Sequence, residues 1–335
     1  MLEKPDKKEF ITFTVSDDMC GQRLDQVLAH FLSDYSRSRL QQWLKSGYIL
    51  LDGRQPKNKD KVKGGECIEI QLNKALESSK PKENWHAQSI SLDLVYEDES
   101  IILINKPVGL VVHPGAGNLD GTMVNALLHH EPALESIPRA GVIHRLDKDT
   151  SGILVVAKTL SSHHHLTQLL QAREFTREYQ AIVSGVMTGG GKIDAPIGRH
   201  PTHRTKMAVL PHSQTAKEAV THYRVSQRYR AHTLLDVKLE TGRTHQIRVH
   251  LAHLNYPIIG DTVYGGRLKI PANSAESFIE GLRQLKRQAL HARLLGFVHP
   301  VKNEYMQWEV EMPSDMKNIL DLLEQDMCET QSKQN

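Results

Sequence analysis

The segment HRLDKDTSG, residues 144–152, leads directly into the apolar run ILVVA, residues 153–157, and this pair decides the fold. Five of the six residues at 144–149 are charged or titratable, and glycines at positions 141 and 152 bound the segment. A short apolar run beside turn residues is typical of a buried strand. We therefore predict a polar loop that enters a core strand, where charged side chains require partners or a chemical role.

The residues of this loop fit more than one interpretation. An ion-paired structural loop, with Arg145 or Lys148 bound to Asp149, is favoured when the residues are considered alone. A phosphotransferase motif of the form Asp-x-Asp-x-Thr would instead make Asp147 a nucleophile. That motif is incomplete, because Ser151 occupies its fifth position and polar residues interrupt the apolar strand expected before it.

The chain on either side of the loop predicts an α+β domain over residues 91–315. Apolar or alternating runs predict these strands: Leu94–Tyr96, Ile101–Ile104, Ile153–Ala157, Tyr179–Val183, Thr221–Val225, Thr233–Leu239, Leu290–Val298 and Met306–Met312. Helices are predicted near Thr159–Ala172 and Thr244–Leu254. Because helices do not regularly separate the strands, a doubly wound parallel sheet is disfavoured. We expect a mixed, largely antiparallel sheet with peripheral helices, followed by a tail at 316–335 that contains a short helix.

A smaller helix-helix-hairpin unit is predicted over residues 13–75, with a polar linker at 76–90. Between positions 36 and 65 it carries eight basic residues against two acidic ones, although the whole chain has a net charge of only +3. A solvated face would explain an ordinary run of this kind. Here the basic residues follow a helix and its adjoining loop, as expected for binding to a phosphate backbone. The candidates for contact with such a backbone in this unit are Arg37, Arg39, Lys45 and Arg54.

Composition excludes several classes of protein. The three cysteines form no Cys-x-x-Cys pair, which argues against a disulfide framework or a thiolate zinc site. Apolar runs are strand-sized and the N-terminus is charged, so we expect a cytoplasmic chain without a membrane span or signal peptide. The stretch Gly189–Lys192 lacks phosphate-loop spacing, and the histidines at 163–165, 245, 250 and 253 match no metal-binding pattern. We therefore predict no cofactor and no metal.

Several motifs together resemble one enzyme family. The segment at 144–152 resembles the signature of the RluA-type pseudouridine synthases. The stretches KPVGLVVHP at 106–114, TREYQA at 176–181 and TGRTHQIRVH at 241–250 resemble its other motifs, in the family's order. The N-terminal unit resembles an S4-type RNA-binding domain. Family members of this organisation imply a monomeric isomerase that acts on 23S rRNA, or on a precursor of the large ribosomal subunit, at uridines of the helix 69 stem-loop.

The resemblance also implies a role for individual residues. Asp147 corresponds to the catalytic aspartate, and Arg248 to the arginine that pairs with it. Arg145 would fill the space left by a flipped base, and Tyr179 would stack on the uracil. The remaining expected contacts are Leu290 as an apolar wall of the pocket, and Lys106 and Arg243 as RNA phosphate or structural contacts. The alternative from another class is a ribosome-associated RNA-binding protein without catalysis.

Overall fold

The computed structural model describes residues 10–32, 37–71, 85–115, 117–203, 205–266 and 268–332. The chain divides into two compact units at residue 84. Of the predicted linker, residues 76–84 lie outside the described ranges. Residues 85–90 are part of the larger unit, because Asn125 Nδ2 donates to the His86 carbonyl at 2.8 Å and the Gln88 amide donates to the Asn125 carbonyl at 2.9 Å.

The smaller unit packs two helices on a three-stranded antiparallel sheet. Its elements are β1 (Phe10–Thr14), α1 (Leu24–Phe31), α2 (Arg37–Lys45), β2 (Ile49–Leu51) and β3 (Cys67–Gln71). The strand order is β1-β3-β2. The residues with helical or alternating spacing form its core, which includes Leu24, Leu28, Leu40, Trp43, Leu44, Ile68 and Ile70. Strand β1 was not predicted, and it completes the sheet along the far side of β3.

The larger unit is built around one nine-stranded sheet. Its strands are β4 (Leu94–Glu97), β5 (Ile101–Lys106), β6 (Ser151–Ala157), β7 (Thr176–Ser184), β8 (Gly191–Asp194), β11 (Val220–Arg228), β12 (His232–Leu239), β13 (Leu290–Val298) and β14 (Tyr305–Glu309). The short strands β9 (Ile197–Arg199) and β10 (Met207–Val209) form a separate hairpin. The helices are α3 (Met123–His130), α4 (Leu160–Gln171), α5 (Gln246–His253), α6 (Glu276–Gln284) and α7 (Ser314–Ser332).

Strand β13 joins the two halves of this sheet. The strand order is β4-β5-β6-β13-β7-β12-β11-β8, and β14 also pairs with β13. The β6–β13 pairing is parallel, whereas the other pairings in the sheet are antiparallel. The predicted mixed, largely antiparallel sheet is thus confirmed.

The parallel pairing depends on Gly152, the last residue of the polar motif. Its φ is +115°, and a Cβ there would lie 2.1 Å from the carbonyl oxygen of Ala292. Only glycine permits both this backbone conformation and this close approach. Ala292 is paired with Gly152 on one side and with Tyr179 on the other. The polar loop and Tyr179 are therefore held one strand apart.

The C-terminal helix is longer than the predicted short one. Helix α7 extends from Ser314 to Ser332, and its residues Met316, Ile319 and Leu323 are buried in the main core together with Phe278 and Leu282 of α6. The spacing of three and four residues gives α7 an apolar stripe, which explains why this largely polar segment packs against the domain.

Candidate active site

The polar loop is fixed at both ends, and Asp147 lies in its middle. Val142 forms a β-bridge with Val156 at the beginning of the loop, and β6 follows at the end. Within the loop, Leu146 is buried and the Thr150 amide donates to the Asp147 carbonyl at 3.1 Å. This turn leaves the Asp147 side chain 17% exposed, neither free in solvent nor sealed in the core.

The Asp147 side chain lines a cavity of about 510 Å³. Among the residues that line this cavity are six expected from the sequence to belong to the site: Arg145, Asp147, Tyr179, Arg243, Arg248 and Leu290. They come from four separate parts of the chain. The fold thus brings the expected residues of the larger unit together, with the exception of Lys106.

Arg248 is bound by two carboxylates at once. Its Nη1 donates to Asp147 Oδ2 at 3.0 Å, while Nε and Nη2 donate to the two oxygens of Asp261 at 2.7 and 2.9 Å. The Oδ1 atom of Asp261 also accepts the amides of Val263 and Tyr264, each at 2.9 Å. Asp261 is therefore saturated by partners, whereas Arg248 is the one described residue that donates to the Asp147 carboxylate.

The charges of this group stabilise one another. Burial alone would lower the pKa of Arg248, but hydrogen bonds and charge from Asp261 and Asp147 outweigh it and raise the pKa above its ordinary value. Burial would raise the pKa of Asp261, but the Arg248 guanidinium and two backbone amides lower it below its ordinary value. Arg248 thus presents a fixed positive charge to Asp147.

A buried glutamine holds the backbone from which Arg248 projects. The Oε1 atom of Gln246 accepts the Thr241 hydroxyl at 2.8 Å and the Arg243 amide at 2.9 Å. Its Nε2 donates to the Val220 carbonyl at 2.9 Å, which ties the start of α5 to β11. The first turn of α5 is fixed in this way, and Arg248 lies within it.

His245 stands beside the pair at the start of α5. Its backbone is left-handed, with φ 56° and ψ 22°, a conformation that costs free energy in a non-glycine residue. The ring places Nε2 3.8 Å from Asp147 Oδ1, and Nδ1 shares a 2.8 Å hydrogen bond with the Tyr264 hydroxyl. Burial lowers the pKa of His245 below its ordinary value, and the charge of Asp147 partly opposes this effect.

Tyr179 and Leu290 form walls of the cavity. Tyr179 lies on β7 and Leu290 begins β13, and both side chains are buried. Burial raises the pKa of the Tyr179 hydroxyl, partly opposed by Arg177, so the phenol is protonated at neutral pH. The site therefore offers an aromatic ring and an apolar side chain beside its carboxylate.

Lys106 is not available to RNA, and the expected phosphate contact there was wrong. Its side chain is 0% exposed, and Nζ donates to the carbonyls of Pro107, Leu110 and Lys148 at 2.8, 3.0 and 2.9 Å. Burial lowers its pKa to about 8. Lys106 therefore fits the structural role that was its alternative, because it supports the polar loop from beneath.

Two other expectations concern charge outside the cavity. Asp149 forms no ion pair with Arg145, Lys148 or any other described residue, so the ion-paired loop is not observed. In the smaller unit, Lys45 and Arg54 are exposed, as a surface contact to RNA requires. Arg37 and Arg39 lie on α2, and their side chains are outside the described part of the chain.

The described residues contain no group of three or more side chains that could hold a metal ion. In the same part of the chain, no helix is both long and apolar enough to cross a membrane.

Comparison with known proteins gives a consistent picture. A family model described as RNA pseudouridylate synthase matches residues 100–253. The ribosomal large subunit pseudouridine synthase D of Escherichia coli (strain K12) is 51% identical over 320 residues, which cover 95% of this chain and 96% of that protein. The protein of the same name from Yersinia pestis is 50% identical over 317 residues, which cover 94% and 95%.

The chain belongs to the RluA-type RNA pseudouridine synthases. Among solved structures, the human RNA pseudouridylate synthase domain containing 4 is 27% identical, with a TM-score of 0.55 over 69% of this chain and 93% of that one. The synthase is an RNA isomerase, and its cavity holds the residues that the family motifs supply. The identity extends over both units, so the smaller unit is shared with these relatives.

Sequence reasoning missed several residues of the synthase's site. Asp261 follows the apolar pair Ile258-Ile259, and its side chain caps a turn through the amides of residues 263 and 264. A Gly-Asp turn after an apolar run was a readable local signal. The pairing with Arg248, thirteen positions earlier, was not readable from it. Tyr264, whose ring lies 5.1 Å from the Arg248 guanidinium, belongs to the same unpredicted group.

Proposed function

We propose that this protein converts uridines of large-subunit ribosomal RNA to pseudouridine, at uridines of the helix 69 stem-loop of 23S rRNA. The relatives named for the large ribosomal subunit support the choice of RNA, since identity to them extends over 95% of this chain. The proposed partner is 23S rRNA or a precursor of the large subunit. A specific stem-loop is expected from the resemblance of both units to this kind of synthase.

The reaction breaks the N1–C1′ bond of uridine, turns the uracil, and joins C5 to C1′, so no oxidant, reductant or hydrolysis is required. The C5 proton leaves and N1 gains a proton, and the overall composition is unchanged. In our proposal Asp147 acts on the ribose or base as a nucleophile, or stabilises a cationic sugar. The Asp147 carboxylate faces the cavity and has one side-chain donor among the described residues, Arg248, so it retains free oxygen lone pairs for substrate.

A uridine inside a stem-loop must leave its stack to reach Asp147. Arg145 is exposed, lines the cavity and precedes Asp147 by two residues, so it is suited to occupy the vacated space. The Tyr179 ring on the cavity wall would stack on the extruded uracil, an interaction of about 1–3 kcal/mol per base. Leu290 would cover the remaining apolar edge.

The proposed monomeric state and cytoplasmic location have support within the chain. The cavity is lined by residues of a single chain, so a second copy is not required to complete it. Cys20 is an exposed free thiol, and Cys67 is a partly buried one. Free exposed thiols persist in a reducing compartment such as the cytoplasm.

The 3.0 Å contact between Arg248 and Asp147 at the cavity is the observation that carries the proposal. The test is to map pseudouridines in large-subunit rRNA from cells with and without this protein, and to repeat the conversion with purified components. We expect specific uridines of helix 69 to lose the modification without the protein. Their full modification in its absence would contradict the proposed substrate.

Two variants of the polar loop test the assigned chemistry. Asp147→Asn keeps the size of the side chain but removes its nucleophilic charge, and we expect at least about a 10³-fold loss of rate. Asp149→Asn, two residues away and outside the cavity lining, serves as the matched control and should remain within a few-fold of the wild-type rate. If the wild type binds the RNA but forms no pseudouridine, a non-catalytic RNA-binding protein is favoured instead.

A further inference from the structure

Arg177 carries a buried positive charge without a protein counter-charge. The residue is 5% exposed and forms no ion pair within the described ranges. Its Nη2 donates to the Glu240 carbonyl at 2.9 Å, and its Nε is buried without a hydrogen-bond partner there. The guanidinium thus makes only some of its possible hydrogen bonds, and no described carboxylate balances its charge.

Other buried arginines of the same unit are arranged differently. Arg248 donates through two nitrogens to Asp261, and Arg287 donates through two nitrogens to Asp315. A charge removed from water is costly unless an opposite charge and hydrogen bonds replace the lost hydration. Burial accordingly lowers the pKa of Arg177, and the nearby Arg243 lowers it further. Arg177 therefore lacks a negative partner that its neighbours possess.

The unpaired guanidinium belongs to the wall of the Asp147 cavity. Arg177 precedes Tyr179 by two residues on β7, and both residues line the cavity. Gly242 also lines it, and a Cβ at that position would lie 2.8 Å from Arg177 Nη1. The absence of a side chain at position 242 therefore leaves this part of the guanidinium uncovered.

The surroundings of Arg177 add positive charge. Arg243, half-buried on the same wall, uses its Nε to donate to the Glu218 carbonyl at 2.9 Å. Arg173 also lines the cavity, but it is paired with the carboxylates of Glu218 at 2.5 Å and Glu240 at 3.7 Å. Arg173 is already neutralised, so the attraction for an anion is centred on Arg177 and Arg243.

We propose that Arg177 and Arg243 form a phosphate subsite, which binds a backbone phosphodiester next to the flipped uridine. This inference rests on the proposed function, because it takes the ligand to be the RNA that enters the cavity. A guanidinium matches the geometry of phosphate oxygens and binds them through charge-assisted hydrogen bonds. The phosphodiester would provide the negative charge that Arg177 lacks and would set the position of the ribose beside Asp147.

The test replaces single phosphodiesters of a helix 69 stem-loop by neutral methylphosphonates, one linkage at a time. We expect one linkage within two nucleotides of the target uridine to weaken binding to the wild type by about tenfold, the effect of one charge-assisted hydrogen bond. In Arg177→Gln the same replacement should have a smaller effect, because only Arg243 remains to bind that phosphate. The slope of log affinity against log salt should also fall by about 0.7–0.9, the release of one counterion.

Two further variants separate a phosphate contact from a structural role. Arg224→Gln removes an exposed arginine that pairs with Asp236 outside the cavity, and it should keep the wild-type linkage profile. Gly242→Val retains Arg177 but displaces its Nη1, because a Cβ at this position would lie only 2.8 Å from that flexible end of the side chain; the backbone at 242 is not left-handed and adds no strain. Like Arg177→Gln, Gly242→Val should respond less than the wild type to the methylphosphonate at that linkage. If Arg177→Gln has a lower melting temperature than the wild type, the test rests on Gly242→Val alone.

The subsite is overturned if Gly242→Val, folded as judged by its melting temperature, responds to each methylphosphonate as the wild type does. Inorganic phosphate, at constant ionic strength, should compete with RNA more strongly for the wild type than for Arg177→Gln, because both ligands would occupy the same guanidinium groups; equal competition in the two proteins also overturns the subsite. Pseudouridine formation by the wild type in the same RNA is scored separately. Failure of the proposed function is thus distinguishable from failure of the subsite.

Discussion

The two units of this synthase use charge in opposite ways. In the smaller unit, Lys45, Arg54 and the lysines at 57, 59, 61 and 63 are all exposed. In the larger unit, Lys106, Arg177 and Arg248 are buried; Arg177 and Arg248 line the Asp147 cavity, and Lys106 supports the loop that carries Asp147. Exposed charge acts through water and attracts any polyanion, whereas buried charge acts at contact on a single group.

This difference separates binding from chemistry. Exposed ion pairs contribute about 0–1 kcal/mol and weaken with salt, so the smaller unit can lose one of these exposed lysines or arginines with little effect on its folding. Breaking a buried pair from one side costs about 3–5 kcal/mol, so a substitution in the larger unit affects folding and catalysis together. The comparison can be tested from its largest expected consequence to its smallest.

Acid should unfold the larger unit first. Burial lowers the pKa of His144 to about 3 and that of His232 to about 4, from 6.5 in the unfolded chain. The unfolded chain therefore takes up protons first, and stability is lost as the pH falls from about 6.5 towards 4, by about 1.4 kcal/mol per pH unit for each histidine. Chemical denaturation of the full chain at pH 7 and pH 5 measures this loss.

Two histidine variants sharpen this test. The ring nitrogens of His232 have no hydrogen-bond partner among the described residues, so His232→Leu should make the stability less dependent on pH. His30, which is exposed in the smaller unit, provides the matched control substitution, His30→Leu. An equal effect of the two substitutions would remove the proposed contrast between the units.

Removal of the buried partner of Arg248 should have the next largest effect. Asp261→Ala leaves the guanidinium with Asp147 alone and abandons two backbone amides, so we expect the free energy of unfolding to fall by about 3–5 kcal/mol. Pseudouridine formation should fall as well, because Arg248 is no longer held in place. Asp18→Ala, at an exposed position of the smaller unit with no side-chain hydrogen bond among the described residues, should change stability by less than about 0.5 kcal/mol.

The smallest effect is expected from the exposed charges themselves. The double variant Lys45→Gln/Arg54→Gln should weaken rRNA binding by a few-fold and reduce the salt slope by about 1–2, while its turnover at saturating RNA stays at the wild-type level. Filter binding across a salt series, combined with single-turnover rates, measures both. If the rate at saturating RNA falls while RNA binding is unchanged, these exposed residues act in the chemical step. The contrast between the two units would then not hold.

The local features of the fold were readable from the sequence. Strands such as Ile153–Ala157 were predicted because apolar runs of that length bury themselves in a sheet. The Asp147–Arg248 pair was predicted through motif resemblance, although 101 positions separate the two residues. Residues whose role depends on distant partners were not accessible in this way. Asp261 and Tyr264 became part of the site only through the packing of α5 against the segment that follows it.

Lys106 shows the opposite error. Lysine is mostly exposed in proteins, and its position in a family motif favoured an RNA contact. The sequence did not reveal that three carbonyl oxygens converge on its ammonium group beneath the polar loop. The length of helix α7 was underestimated for a related reason. Its few apolar residues are buried in one cluster with residues of α6, and the sequence of α7 alone does not show this contact.

The late position of β13 in the chain has a consequence for synthesis on the ribosome. Asp147 and Tyr179 are made early, but the strands beside them become neighbours only when residues 290–298 are inserted between them. A nascent chain that ends before this strand holds two unjoined half-sheets and no assembled catalytic pocket. Activity therefore requires synthesis through residue 298, and a chain terminated before that residue would be inert towards RNA modification.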